Sequence, residues 1–514
     1  MVHAVAQDTT AEHGQRHFTS KLVFNIIVIC FGTTSFGFCN AVIGTSLGQP
    51  SFIKHMKLDV LPNATSLESA VLAIYFLGGL FGTACHTLTA DRYGRKVSTS
   101  IACAVMIFGA ALCTAAVNMG MYIAFRFFCG WASYQFLSTV PTWVAEITPP
   151  SHRGVLGNII AVNIGVGYVL SAYIGIGFYF LTGNDDQWRG STALQMLFPI
   201  LLLSAMYWLP ESPRYLIAKD RHEEALALLK SLHAGANHST NFAEVEFYQI
   251  KQQVQSDVEH KMSFVDIFRK PTMRKRALIS WCLPWCMLGS GVLVINNYGS
   301  AIYSKLGYDS FQVLLFLAGW DCVVMIAPFI CMTFVDRVSR TYLLATGFFL
   351  CMCTLIVLAA LQKTYLGTEN HAALAACVAM TFLYVLAYVM FLDGPMFFYL
   401  GEIWPSHVRV QGFSIGTTAN CVSNLVWTSA APAAFASIGW GYYLFFVVQA
   451  FLGGVAALLF FPDTARKPLE EIAALFGDQD VVVFQQDLDR KGLGPESEKD
   501  NVDYQERVQP AEKA

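Results

Sequence analysis

Three ionisable side chains, Arg126, Asp321 and Asp393, lie inside long apolar stretches of this chain. An ionised group at the centre of a bilayer costs on the order of 2.5–3.5 kcal/mol on insertion scales, so each needs a reason to be there. Burial adapts a carboxyl to holding and releasing a proton, which makes Asp321 and Asp393 candidates for proton coupling. The plainer alternative for each is a neutral, hydrogen-bonded acid that orients a helix. Arg126 suits a gate or a solute carboxylate, and equally a structural donor to backbone carbonyls. Asn296 and Asn297 can exchange hydrogen bonds with hydroxyls or carbonyls, while Tyr298 and Trp427 offer ring faces, and together they are expected to form a solute pocket. Asparagines inside spans also serve as interhelical links, and His86 is expected to be structural.

A second group of charges recurs in pairs. Asp91, Arg92, Arg95 and Lys96 sit in D-R-Y-G-R-K, and Asp336, Arg337 and Arg340 in D-R-V-S-R. Glu146 and Arg153, like Glu402 and Arg409, bracket the pattern E-I-x-P-x-x-x-R. A single such cluster is an ordinary basic loop ending a helix. Two motifs, each occurring once per half at matching ordinal positions, indicate an internal duplication. Carboxylates and guanidiniums at the ends of neighbouring helices can pair when two halves close on that side and part when they open, so these residues are expected to gate.

The elements that must carry these groups are membrane spans. Of the 514 residues, 55% are hydrophobic and only 13% charged, with mean hydropathy +0.47. A soluble domain is about 25% charged. Runs of about 20 apolar residues, enough to cross a bilayer core, recur with short polar punctuation. They are placed at 22–46, 68–88, 98–117, 121–143, 155–181, 192–210, 277–303, 311–334, 341–361, 373–400, 411–435 and 440–461. The expected fold is an all-α membrane protein of twelve transmembrane helices in two six-helix pseudo-repeats. Its segments are a cytosolic N-terminal piece (1–21), one half (22–210), a helical linker (211–276), the other half (277–461) and a C-terminal tail (462–514). In the linker, Leu226, Leu229 and Leu232 fall at helical spacing, and Ser212 with Pro213 reads as an N-cap and first helical position.

Basic residues concentrate in the even-numbered loops, which places both termini in the cytosol and Asn63 in an exterior glycosylation sequon. The N-terminus has no cleavable signal pattern. Most of the 14 cysteines lie in apolar runs and read as small hydrophobes; no metal ligand set and no cofactor motif is expected, Cys282 and Cys286 included. The net charge of −3 makes no case for nucleic acid. No H-E-x-x-H is present, and no nucleophile elbow or glycine-rich phosphate loop in a strand–helix context, so the chain is not expected to be an enzyme.

From span one to Glu471 the chain resembles the sugar porter family of the major facilitator superfamily. The resemblance rests on residues 82–96, Arg126 in span four, P-E-S-P-R at 210–214, the E-I-W-P element at 402–412, and P-D-T followed by L-E-E at 462–471. It implies a proton-coupled or facilitative carrier working by alternating access, and it adds Glu211 and Arg214 to the gating set. Asn420 and Asn424 match the family's span-eleven asparagine pair; four residues apart, they share one helix face. Other positions depart from the family. Its span-one Asp is replaced by Cys39, its span-seven glutamines fall on 287–293 (M-L-G-S-G-V-L), and its span-five glutamine falls on Ala161. The expected solute is a sugar or sugar-like compound, with a carboxylate or aromatic metabolite as the alternative and a non-transporting sensor as a further one. The expected partners are that solute, protons where coupled, and the lipid bilayer around a monomer in the plasma membrane.

Overall fold

The computed structural model describes residues 20–61, 64–148, 153–180, 187–232, 264–335, 338–368, 370–405 and 408–465, with short pieces between 243 and 255 and at 472 and 475–477. Asn63, Asp336, Arg337, residues 466–471 and the side chain of Arg153 lie outside the described residues.

All regular structure among the described residues is helical, the form that satisfies every backbone polar group within one segment in hydrocarbon. Nine described helices are long and apolar enough to cross a membrane. They are α1 (Lys21–Leu47), α2 (Ser66–Tyr93), α3 (Arg95–Thr114), α5 (Ile159–Tyr179), α7 (Pro271–Asn297), α8 (Ser310–Cys331), α9 (Arg340–Tyr365), α10 (His371–Glu402) and α12 (Gly441–Leu459). The other three expected spans are helical but more polar or interrupted. Helix α4 (Met119–Ile147) carries Arg126, Gln135 and Glu146, and α11 (Arg409–Ser437) is rich in Ser, Thr and Asn. Helix α6 is made of Gln187–Ala193, a 3-10 turn at Leu194–Met196, and Leu197–Ala205. The helical part of α6 thus starts and stops about one turn before the apolar run; Trp188 at its start is fully buried against Phe52 and Tyr122. The chain is a twelve-helix membrane fold of two six-helix halves. The halves meet where α2 packs on α11 and α5 on α8, with α1 touching the outer part of α7.

Two spans break next to this seam. In α7, the helix with Pro284 inside it ends at Leu288, and residues 289–291 turn before Val292–Asn297. Gly291 has φ +94°, and a side chain there would meet the Phe446 ring at 2.5 Å, so both backbone and space call for glycine. In α10, residues Val389–Asp393 form a π-turn ahead of Pro395. One extra residue in a turn re-aims the side chains on either side, and such turns concentrate at functional sites.

The 211–232 segment folds as the leucine spacing suggests. Ser212 accepts from the Tyr215 amide to cap Pro213–Ala218, and His222–Leu232 buries Leu229 and Leu232.

Candidate functional site

At the seam the chain encloses a cavity of about 90 Å³, measured as the volume that water centres can occupy. One water needs ~10–15 Å³ on that measure, so the space accommodates a small solute rather than a single solvent molecule. Both halves line it. The N-terminal half supplies Phe36 and Asn40 from α1, Tyr134 and Leu137 from α4, and Ala161, Ile164 and Tyr168 from α5. The C-terminal half supplies Leu288, Val292, Leu293 and Asn296 from α7, Trp320, Val324 and Pro328 from α8, Tyr388, Val389, Asp393 and Phe397 from α10, and Asn420 and Asn424 from α11. The breaks in α7 and α10 turn Asn296 and Asp393 towards this space.

The polar groups of the wall are partly paired across the seam. Tyr134 donates to Asn420 Oδ1 at 3.3 Å, and Asn424 Nδ2 donates to Asn420 Oδ1 at 3.0 Å and to the Tyr134 hydroxyl at 3.4 Å. Asn40 donates to the Tyr168 hydroxyl at 2.5 Å. Such a wall exchanges hydrogen bonds with solute hydroxyls, while Phe36, Trp320, Tyr388 and Phe397 cover an apolar face. Among the described residues, the wall contains one carboxyl group, Asp393, and no Lys, Arg or His.

Of the six residues expected to bind solute, three line the cavity: Asn296, Asn420 and Asn424. The other three do not. Tyr298 donates to the Thr428 carbonyl at 3.1 Å and bonds to Ser69 of α2, joining the halves on the side of the cavity away from the Arg95 and Arg340 networks. Trp427 packs edge-on against Trp285 with ring centres 5.2 Å apart, and against Phe445 at 5.0 Å. Asn297 is fully buried, and neither of its amide atoms has a partner among the described residues. Helix spacing alone could not separate 296 from 297 and 298, because the break in α7 resets which residues face inward.

Arg126 is fully buried and lies off the cavity. Both its terminal nitrogens donate to the Cys39 carbonyl, at 3.3 and 3.4 Å, one approaches the Cys39 sulfur at 3.6 Å, and the guanidinium sits 4.7 Å over the Tyr75 ring. Its donors are thus engaged at Cys39, the position that the family resemblance aligns with a span-one Asp. His86 likewise pairs with a neighbour, the Thr139 hydroxyl, at 2.8 Å.

The charged motifs form two matching networks, one per half. Arg95 bonds Glu146 at 2.7 Å, Asp91 at 3.4 Å and the Ala90 carbonyl at 2.9 Å. Arg340 bonds Glu402 at 3.3 Å and the Val335 carbonyl at 2.6 Å. Glu211 accepts from the Arg95, Lys96 and Ser212 amides, capping α3, and Asp463 accepts from the Arg340 and Ala465 amides, capping α9. Thr464 donates to Glu402 at 2.6 Å. Burial holds the Glu211 carboxyl above the ordinary glutamate range, against the pull of its backbone donors and Arg95. Asp463 and Thr464 were missed as site residues, though the signal was present: P-D-T follows span twelve as P-E-S follows span six. Arg92 stacks on Tyr93, Arg214 follows Pro213 in the linker helix, and Arg409 opens α11 with Nε donating to the Trp404 carbonyl at 3.4 Å. Thr87 and Ser414 bring their hydroxyls together across the seam on this face, at 3.3 Å.

Comparisons with known proteins agree with this architecture. The family model described as "Sugar (and other) transporter" matches residues 25–476. Similar relatives include the MFS-type transporter criB of Aspergillus cristatus, 28% identical over 87% of this chain and 91% of that protein. The high-affinity glucose transporter of Kluyveromyces lactis is 28% identical over 89% and 86%, and the quinate permease of Neurospora africana 26% identical over 96% and 98%. The fold is shared with the proton:xylose symporter XylE bound to 6-bromo-6-deoxy-D-glucose, at TM-score 0.76 and 21% identity over 89% of this chain and all of that one. Twelve helices in two matched halves, a cavity between them and a family match over nearly the whole span region lead to one assignment: this chain belongs to the sugar transporter family, the sugar porters of the major facilitator superfamily.

Proposed function

We propose that this protein carries a neutral, hydroxylated solute of sugar type across the membrane by alternating access. The observation that carries the reading is the cavity wall, with asparagines and tyrosine hydroxyls beside aromatic faces, one carboxyl and no basic side chain. Contacts between the halves lie on both sides of the cavity, Tyr298 to Ser69 on one and Thr87 to Ser414 on the other. A solute therefore leaves only when one set parts, and the capped Arg95 and Arg340 networks keep each half rigid as it rocks. Positive loop residues on the Arg95 and Arg340 face support cytosolic termini, an exterior side for the Asn63 glycosylation sequon, and the plasma membrane as the site of action for a monomer.

The likeness to quinate permeases favours a second reading, a carboxylate solute. Such a solute would meet Asp393 and find Arg126 engaged with Cys39. Uptake of labelled D-glucose and labelled quinate into yeast lacking its own hexose carriers, with surface expression verified, separates the two. Saturable glucose uptake is the expected result; quinate uptake without glucose uptake overturns it.

A further inference from the structure

Asp321 is buried to 3% exposure in the middle of α8, just behind the cavity wall to which its neighbours Trp320 and Val324 contribute. Its Oδ1 has no hydrogen-bond partner among the described residues. The titratable groups that interact with it from packed helices are Tyr168 on α5 and Tyr303 at the far end of the seventh span, and the adjoining α10 carries Tyr384, which packs on the neighbouring Trp320, with Tyr388 and Asp393 in the cavity wall. None of these is cationic, so among the described residues no fixed counter-ion is recorded to offset a charge there. A carboxyl so placed is held at least cost as the neutral acid, and it ionises only when water or a donor reaches it. The side chain that does reach it is Asn296, whose amide lies beside the Asp321 carboxyl and also lines the cavity. Asn296 stands in the six-residue helix Val292–Asn297, set off from the rest of α7 by the turn at Gly291.

We propose that Asp321 is the proton site of this carrier, and that Asn296 is the side chain through which solute in the cavity governs it. This rests on the carrier reading above. A solute hydroxyl that takes the Asn296 amide removes a donor from the Asp321 carboxylate and favours its protonation; the carboxylate takes the proton from hydronium in the open passage, leaving water. When solute leaves on the other side, Asn296 returns, and the proton is released to water there. No bond other than O–H is made or broken. The loss of the span-one carboxyl at Cys39 is thereby offset in the opposite half.

The test uses the purified full-length protein in liposomes and infrared spectroscopy of the protonated carboxyl C=O stretch across pH, with no solute present. The wild type is expected to show a band that disappears as pH rises. Asp321→Asn should lack that component, Asp393→Asn should keep it, and Asn296→Ala should keep it to higher pH because the carboxylate has lost a donor. A band unchanged by Asp321→Asn, or lost only with Asp393→Asn, overturns the proposal, as does a titration indifferent to Asn296→Ala. Transport supplies the second readout, in which Asp321→Asn retains exchange of labelled D-glucose across the membrane but loses accumulation against a gradient. Absence of glucose uptake in the wild type counts against the sugar reading and leaves the infrared result standing; absence of the band with glucose uptake intact leaves a facilitative carrier and removes the proton site.

Discussion

Arg126 illustrates how a buried charge is kept without a counter-ion. Its two donors share the Cys39 carbonyl and its flat face rests on Tyr75, a cation–π contact worth about 2 kcal/mol where water is excluded. Lysine offers neither the fork nor the plane. Arg126→Lys is therefore expected to lower stability by about 1–3 kcal/mol, read as a fall in melting temperature in detergent. Asn424 plays a different part, since its amide lines the cavity and holds Tyr134 and Asn420 in place. Asn424→Ala should weaken solute binding by about 1 kcal/mol, a rise of roughly fivefold in the KM of uptake, with surface expression unchanged.

At the scale of elements, the capping of α3 and α9 is the feature the two halves share most closely. Gly94 has φ +95°, and a Cβ there would stand 2.5 Å from Glu211 Oε2. Gly94→Ala is expected to cost about 1–2 kcal/mol, from the left-handed backbone alone, and more if the Glu211 cap is displaced; thermal unfolding in detergent reads it. The C-terminal half enters α9 through a different backbone, with Ser339 at φ −56°, so Ser339→Ala should leave the melting temperature nearly unchanged. The π-turn of α10 sets the register of Asp393 and Phe397. Deleting Met390 would restore a regular helix and rotate that segment by about 100° relative to the rest. Transport should be lost while the protein still reaches the surface, measured by uptake alongside surface labelling.

At the scale of the molecule, transport requires the two seams to part in turn. Thr87 on α2 and Ser414 on α11 bring their hydroxyls within 3.3 Å across the halves. A Thr87→Cys, Ser414→Cys pair should form a disulfide that holds this face shut and stops uptake, and a reducing agent should restore it. Uptake that persists in the crosslinked protein would mean that this face does not open during transport.

Composition, apolar run length and the paired D-R and E-I-x-P motifs were enough to establish twelve spans, two related halves and the Arg95–Glu146 and Arg340–Glu402 partners, whereas Glu211 came from the family resemblance and Asp463 and Thr464 were missed. These are one-dimensional signals, because a bilayer demands about 20 apolar residues per crossing and a duplicated half repeats its loops. The cap of Ser212 on Pro213 was legible for the same local reason. The composition of the pocket was less so. Asn40, Tyr134, Tyr168, Trp320 and Phe397 face the cavity because of how five helices are rotated, and nothing in their spacing marks them. Asn296 was separated from Asn297 and Tyr298 only by the turn at Gly291, and the partner of Arg126 emerged only where α1 crosses α4. Which polar side chain meets solute, and which meets another helix, is decided by contacts between segments far apart in the chain, and those exist only in the packed tertiary structure.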